Sequence, residues 1–125
     1  MTTMLIVDDE LDMRMLVRLV IEMANNGLTI VGEAGDGTEA LRVWRDLDGP
    51  PVPDVVILDN RMPELSGLEV AKEILDERPG QLIVLYSAFL DDMVRAQAAE
   101  VGIAMCVSKH ELEDLPSVVR GLTAV

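Results

Sequence analysis

The stretch P-D-V-V-I-L-D-N-R-M-P-E-L-S-G, residues 53–67, decides the fold of this protein. Its apolar run from Val55 to Leu58 predicts a strand buried on both faces, because a strand with one exposed face alternates apolar and polar residues. Asp59 follows this run directly. A carboxylate at the end of a buried strand loses hydration free energy unless a cation or a hydrogen-bond donor meets it. Asp59 is therefore a candidate site residue.

The same arrangement occurs at the amino end of the chain. There an apolar run from Met4 to Val7 leads into Asp8, Asp9 and Glu10. If the two apolar strands are neighbours, Asp8, Asp9 and Asp59 converge on one crevice at the edge of a sheet. Three carboxylates that share one crevice repel one another, so this arrangement predicts a bound cation. Taken alone, an acidic pair ahead of a helix is also typical of a helix cap.

Composition limits the classes of function. With 125 residues the chain is expected to form one domain, residues 1–125, that buries a substantial core. Its net charge of −13 disfavours direct binding to nucleic acid or to an anionic membrane. The single cysteine, Cys106, excludes an internal disulfide, and the single histidine, His110, argues against a zinc cluster. Because the apolar start is too short for a signal peptide, a reducing cytoplasm is the expected location.

Strand and helix signals alternate along the chain. Apolar runs predict strands at residues 4–7, 28–33, 55–58, 82–86 and 104–107, and helical spacing predicts helices at about residues 11–23, 38–47, 66–77, 91–100 and from 114 onward. Such alternation is typical of an α/β fold with a doubly wound, five-stranded parallel sheet and helices on both faces. With strand order 2-1-3-4-5, the switch point lies between strands one and three, which end in Asp8 and Asp59.

Local signals predict which residues begin, end and bury each helix. The stripe of Met15, Leu16, Leu19, Val20 and Met23 is predicted to be the inner face of the first helix, which stops near residues 25–27. Thr38 is predicted to cap the second helix, and Trp44 to lie in the core. Ser66 and Glu69 have the spacing of a capping box. Residues 49–53, rich in proline, are predicted to form an extended loop.

Four motifs, taken together, resemble the receiver domain of two-component response regulators. They are L-I-V-D-D-E at residues 5–10, V-V-I-L-D-N-R-M-P-E-L-S-G at 55–67, V-L-Y-S-A at 84–88 and V-S-K at 107–109. Each motif alone is weak, but their order and their positions at strand ends make a strong joint signal. The resemblance spans nearly the whole chain and implies a flavodoxin-like fold with a role in phosphorelay signal transduction.

The resemblance also implies a role for each site residue. Asp59 would accept a phosphoryl group from a sensor histidine kinase or a histidine phosphotransfer protein, and a downstream output protein or a fused effector domain would read the result. Asp8, Asp9, Asp59 and the backbone carbonyl of Arg61 would hold Mg²⁺ or Mn²⁺, as suits hard cations with oxygen ligands. Lys109 would supply a second positive charge, Ser87 would donate a hydrogen bond to the phosphoryl group, and Ala88 would leave the acceptor accessible.

This chain departs from the family pattern near its carboxyl end. His110 follows Lys109, where the family often has proline after a cis bond, so a trans bond or stored strain is expected here. Cys106 replaces the aromatic residue that usually changes orientation on phosphorylation, and the usual switch is therefore incomplete. A cysteine in an apolar strand is expected to be an inert core residue. Arg61 and Phe89, which flank the expected phosphoryl group, would tune its lifetime.

Three other functions are consistent with parts of the pattern. A degenerate receiver would act as an interaction surface without phosphorylation, and the Cys106 replacement keeps this reading open. A phosphohydrolase with an aspartyl-phosphate intermediate often carries an aspartate two residues after the nucleophile, where this chain has Arg61. A nucleotide- or flavin-binding module needs a phosphate-cradling loop after strand one, where Asp8, Asp9 and Glu10 would instead repel phosphate. A receiver that is not itself an enzyme remains the main hypothesis.

Overall fold

Ten regular elements alternate in a computed structural model that describes residues 1–24, 27–47 and 53–124. The strands are β1 (Thr2–Val7), β2 (Leu28–Ala34), β3 (Val55–Asp59), β4 (Leu82–Ser87) and β5 (Met105–Ser108). The helices are α1 (Leu11–Ala24), α2 (Gly37–Asp46), α3 (Gly67–Glu77), α4 (Asp92–Val101) and α5 (Leu115–Thr123). The predicted helix stop at residues 25–26 and most of the predicted loop at 49–53 lie outside the described residues.

The strands form one parallel sheet in the order β2-β1-β3-β4-β5, which confirms the predicted topology. All five residues of β3 are buried, as expected for a central strand covered on both faces. Pairing of Val7 with Leu58 brings Asp8 and Asp59 out of the sheet side by side. Asp59 in turn pairs with Tyr86 on β4. The register thus places the ends of β1, β3 and β4 at one edge.

Two hydrophobic clusters, one on each face of the sheet, hold the helices in place. The first includes Leu5, Trp44 and Ile74 and packs α2, α3 and α4 against the sheet. The second includes Ile6, Val17, Tyr86 and Val119 and packs α1 and α5 against the other face. Alternate residues of each strand enter opposite clusters because successive side chains of a strand point to opposite faces. Trp44 lies in the core, as predicted, and is 3% exposed.

Helix caps follow the sequence signals in α3 but not in α2. In α3 the Ser66 hydroxyl accepts a hydrogen bond from Glu69 N, and the Glu69 carboxylate accepts one from Ser66 N, which forms the predicted capping box. The prediction that Thr38 caps α2 was wrong. The cap is Asp36, whose carboxylate accepts a hydrogen bond from Glu39 N at 2.7 Å. An aspartate two residues earlier makes an equally good cap, and the helix begins at Gly37.

The predicted inner face of α1 was also wrong. Val17 and Ile21 are the buried residues of this helix. Of the predicted stripe, only Val20 packs against the core, while the other four side chains are 45–76% exposed: Met15, Leu16, Leu19 and Met23. Apolar residues occur all round this helix, so spacing alone does not choose the face. Packing against β1 and α5 selects the row that contains Val17 and Ile21.

A short 3₁₀ connection between β5 and α5 was not predicted. Residues Lys109–Asp114 form a 3₁₀ helix, and the Ser108 hydroxyl caps it by accepting a hydrogen bond from His110 N at 3.1 Å. A proline at position 110 has no N–H to donate, so the replacement of the family's proline by histidine adds this bond. Among the described residues, no helix combines the length and apolar character needed to cross a membrane.

Candidate functional site

Lys109 lies between the two buried aspartates at the strand ends. Its Nζ is 3.1 Å from Asp8 Oδ2 and 3.2 Å from Asp59 Oδ1. Three separate strands supply these groups, because Asp8 follows β1, Asp59 ends β3 and Lys109 follows β5. The structure thus brings together residues that are 50 or more positions apart in the chain.

The two aspartates of the site are buried, and together they carry more negative charge than Lys109 balances. Asp8 is 0% exposed and Asp59 is 2% exposed. Burial first, and then the negative charge of Asp8, raise the pKa of Asp59 to about 7, although Lys109 opposes the rise. Burial alone would lower the pKa of Lys109, but the charges of Asp59 and Asp8 outweigh it, so that pKa is raised. The lysine therefore stays charged, but it does not balance both carboxylates.

The Asp8 carboxylate has two further donors. Its Oδ1 accepts a hydrogen bond from Glu10 N at 2.9 Å, and its Oδ2 accepts a very short one from the Tyr86 hydroxyl. Arg14 Nη1 also donates to the backbone oxygen of Asp8, at 2.5 Å. The sequence did not indicate Tyr86 or Arg14, because Tyr86 is part of an apolar strand and Arg14 is one of several charged residues of α1. The only available signal was the polar hydroxyl of Tyr86 beside the strand end.

Close backbone packing fixes the loop that follows Asp59. Arg61 N donates a hydrogen bond to Asp59 Oδ1 at 3.3 Å. Gly67 N donates to Asn60 O at 2.9 Å, which brings the start of α3 back onto the end of β3. A Cβ atom at Gly67 would lie only 2.3 Å from the Asp59 carbonyl oxygen. Only glycine fits at this position, and it thereby helps to hold Asp59 in place.

Ser87 is buried at the end of β4, but its hydroxyl is bonded within its own loop. It accepts a hydrogen bond from Phe89 N at 3.2 Å and lies 3.3 Å from Phe89 O, to which it donates. Ala88 is exposed and presents only a methyl group to this edge. The side chains of Arg61 and Phe89 meet across the edge, with 4.5 Å between the guanidinium carbon and the ring centre.

The donor set fits a hard divalent cation. Carboxylate oxygens of Asp8, Asp9 and Glu10 lie within 4.8 Å of one another, and Asp59 stands beside Asp8 with its pKa raised by the charge of Asp8. Oxygen ligands and uncompensated negative charge are what Mg²⁺ requires. Glu10 was not among the predicted ligands. Asp9 and Glu10 are exposed, so a cation bound there would remain open to water on that side.

Comparison with known proteins identifies the family of this chain. The family model of the response regulator receiver domain matches residues 4–120. The chain belongs to this family. The resemblance inferred from the four motifs is thereby confirmed.

Individual relatives of this receiver domain include both short and long proteins. It is 36% identical to the chemotaxis protein CheY of Thermotoga maritima over 98 residues, which cover 78% of this chain and 77% of CheY. It is 37% identical to the transcriptional regulatory protein YdfI of Bacillus subtilis over 102 residues, which cover 82% of this chain but only 45% of YdfI. The response regulator domain of Thermotoga maritima CheB superposes with a TM-score of 0.87, at 25% identity, covering 99% of this chain and 97% of that domain.

Cys106 lies apart from the charged groups of this receiver domain. It is half-buried on β5 and packs against the cluster that holds α2, α3 and α4. Burial raises the pKa of its thiol, although Arg95 opposes the rise. A raised pKa leaves the thiol protonated and unreactive. These contacts support the expectation that Cys106 is a packing residue.

Proposed function

We propose that this receiver domain accepts a phosphoryl group on Asp59 and thereby controls the binding of a partner protein. The position of Lys109 is the observation that carries this proposal. Its ammonium group contacts Asp8 and Asp59 together, so a cation stands beside the acceptor before any phosphate arrives. Phosphoryl transfer depends mainly on an in-line nucleophile and on positive charge near the equatorial oxygens.

In the proposed reaction a carboxylate oxygen of Asp59 attacks the phosphorus atom of a phosphohistidine. An O–P bond forms, the P–N bond breaks, and its electron pair returns to the imidazole nitrogen, which takes up a proton. Lys109 then balances charge on the transferred group. The Ser87 hydroxyl leaves its contact with Phe89 and donates to a phosphoryl oxygen instead, while the small Ala88 leaves room for the donor to approach.

Asp8, Asp9 and Asp59, with the backbone carbonyl of Arg61, are the proposed ligands of Mg²⁺ or Mn²⁺, and Glu10 lies close enough to assist through water. When bound, a divalent cation supplies positive charge to the carboxylates and to the phosphoryl oxygens. The charge excess supports this assignment, because one lysine faces two buried aspartates. The ionised form of Asp59, which is the nucleophile, is favoured when that excess is balanced.

The proposed partners are a sensor histidine kinase or histidine phosphotransfer protein as donor, and an output protein or fused effector domain as target. The 102 residues that match YdfI cover less than half of that protein, which is why a fused effector domain is one of the proposed targets. The proposed location is the cytoplasm. With Cys106 in place of the family's aromatic residue, we propose that Ser87 and the loop before α4 transmit the signal.

One phosphorylation experiment separates this proposal from its rivals. The chain is incubated with Mg²⁺ and acetyl phosphate, and its intact mass is measured by mass spectrometry. One phosphoryl adduct is expected, and it should be absent in Asp59→Asn and in the presence of a chelator. Asp54→Asn, at the opposite end of β3, is the matched control and should keep the adduct. No adduct on the parent chain would favour a degenerate receiver, and rapid multiple turnover of acetyl phosphate would favour a phosphohydrolase.

A further inference from the structure

Tyr86 contacts both of the charged residues that flank the proposed acceptor. Its hydroxyl donates to Asp8 Oδ2, and Lys109 Nζ lies 5.0 Å from the centre of its ring. The ring itself is 0% exposed and belongs to the hydrophobic cluster between the sheet and α1 and α5. A buried aromatic ring has few torsional freedoms, so its hydroxyl is a fixed point at the floor of the site.

The donors on Asp8 leave little freedom for its carboxylate. An ionised carboxylate offers about four acceptor positions. Glu10 N uses one on Oδ1, while the Tyr86 hydroxyl and Lys109 Nζ use two on Oδ2. What remains is a position on Oδ1, the oxygen bonded to the amide of Glu10. The two side-chain donors thus hold Oδ2 and leave Oδ1 available to a cation shared with Asp9 and Glu10, whose carboxylates lie within 4.8 Å of the Asp8 carboxylate.

We propose that Tyr86 is a positioning residue for the divalent cation: its hydroxyl fixes the Asp8 carboxylate in the orientation that binds the metal. This inference rests on the proposed function, because it takes Asp8 as a metal ligand. Outer-shell donors of this kind change metal affinity by about 10- to 100-fold when they are removed. Without the hydroxyl, Lys109 alone would hold Oδ2, and Asp8 would turn toward the lysine and away from the metal.

Tyr86→Phe tests this role, because it removes the hydroxyl and keeps the ring that fills the core. Mg²⁺ affinity is measured by NMR titration of the Glu10 amide, which donates to Asp8 Oδ1 in the parent. We expect the dissociation constant for Mg²⁺ to rise about tenfold in Tyr86→Phe. Tyr86 is the single tyrosine of the chain, so its ring resonances in the parent form one set and are expected to shift during the titration.

Thr3→Val is the matched control. The Thr3 hydroxyl also donates to an aspartate, Asp54, at 3.1 Å, but at the opposite edge of the sheet. This variant loses that hydrogen bond and the one that the Thr3 hydroxyl accepts from Asp54 N at 2.9 Å, so it should lose stability without any change in Mg²⁺ affinity. Equal or tighter Mg²⁺ binding by Tyr86→Phe would overturn the role of Tyr86 and leave the proposed function intact. A parent chain that binds no Mg²⁺ would overturn the metal site itself, and with it both proposals.

Discussion

The guanidinium group of Arg61 stacks on the ring of Phe89, with 4.5 Å between the guanidinium carbon and the ring centre. Arg61 lies two residues after Asp59, and Phe89 lies two residues after Ser87. The contact therefore joins the loops that follow β3 and β4, directly beside the proposed acceptor. Both side chains are exposed and contact each other at the surface.

Loss of this contact is expected to shorten the lifetime of the phosphorylated chain. Arg61→Ala removes the guanidinium group that stacks on Phe89 beside Asp59. Water should then reach the acyl phosphate more easily. An exposed cation–π contact is worth about 0.5–1 kcal/mol, which corresponds to a two- to fivefold faster decay. The decay rate after removal of acetyl phosphate, followed by intact mass, measures this effect. Equal decay rates for Arg61→Ala and the parent would refute it.

The same pair allows a more demanding test. Phe89→Leu should shorten the lifetime to a similar extent, and the double variant should decay no faster than either single variant, because both changes remove one contact. Arg78→Ala is the control. It removes a similar contact, with Trp44 at 4.8 Å, on a part of the surface that is remote from Asp59, and should leave the decay rate unchanged.

The raised pKa of Asp59 predicts a pH-dependent stability. Since this pKa is about 7 in the folded chain against an ordinary value of 3.8, the fold favours protonated Asp59. The free energy of unfolding should therefore fall as the pH rises between these values, in the absence of metal. Asp59→Asn carries no charge, so it should exceed the parent in stability at about pH 8, by about 1–4 kcal/mol, and lose this advantage at about pH 4.

Urea unfolding in the presence of a chelator, monitored by the fluorescence of the single tryptophan, measures this difference. Asp76→Asn, an exposed aspartate of α3, is the control and should show no such dependence. A stability difference between Asp59→Asn and the parent that is independent of pH would show that burial and Asp8 do not perturb Asp59.

Removal of Lys109 should destabilise the metal-free chain. Lys109→Gln leaves Asp8 and Asp59 buried without their shared cation, and breaking a buried ion pair on one side costs about 3–5 kcal/mol. Saturating Mg²⁺ should restore part of this loss, because it supplies positive charge to the same carboxylates. Urea unfolding with and without Mg²⁺ measures both effects. Lys72→Gln, an exposed lysine of α3, should change the stability by less than about 0.5 kcal/mol.

Gly67→Ala should damage both the fold and the acceptor. Its Cβ would lie 2.3 Å from the Asp59 carbonyl oxygen and 2.8 Å from Asn60 Cα, so the backbone that carries Asp59 must move. We expect a loss of about 2–3 kcal/mol in the free energy of unfolding, together with slower phosphorylation by acetyl phosphate. Gly80→Ala is the control, because no atom lies within 4 Å of the Cβ position there. Normal phosphorylation of Gly67→Ala would show that Asp59 tolerates this movement.

The strands and their order were predictable because buried parallel strands leave an unambiguous signal. In a chain whose strands and helices alternate, a run such as Val55 to Leu58 indicates a strand that is buried on both faces of a parallel sheet. Asp59 and Asp8 were predictable for a related reason, since a carboxylate directly after a buried strand has few structural explanations. Helix faces were less predictable. In α1 the apolar residues surround the helix, and the packing of Val17 and Ile21 left Met15 and Met23 exposed.

The sequence by itself determined the five parallel strands, the acids at their ends and the membership in the receiver family, because these depend on residue type and on position along one strand. Only the tertiary structure decided that Lys109 lies within 3.2 Å of both Asp8 and Asp59 and that the Tyr86 hydroxyl bonds to Asp8. Tyr86 looks like one more apolar strand residue until the register pairs it with Asp59 of β3, where its hydroxyl reaches Asp8. Contacts between distant segments depend on register and packing, and no local pattern encodes them.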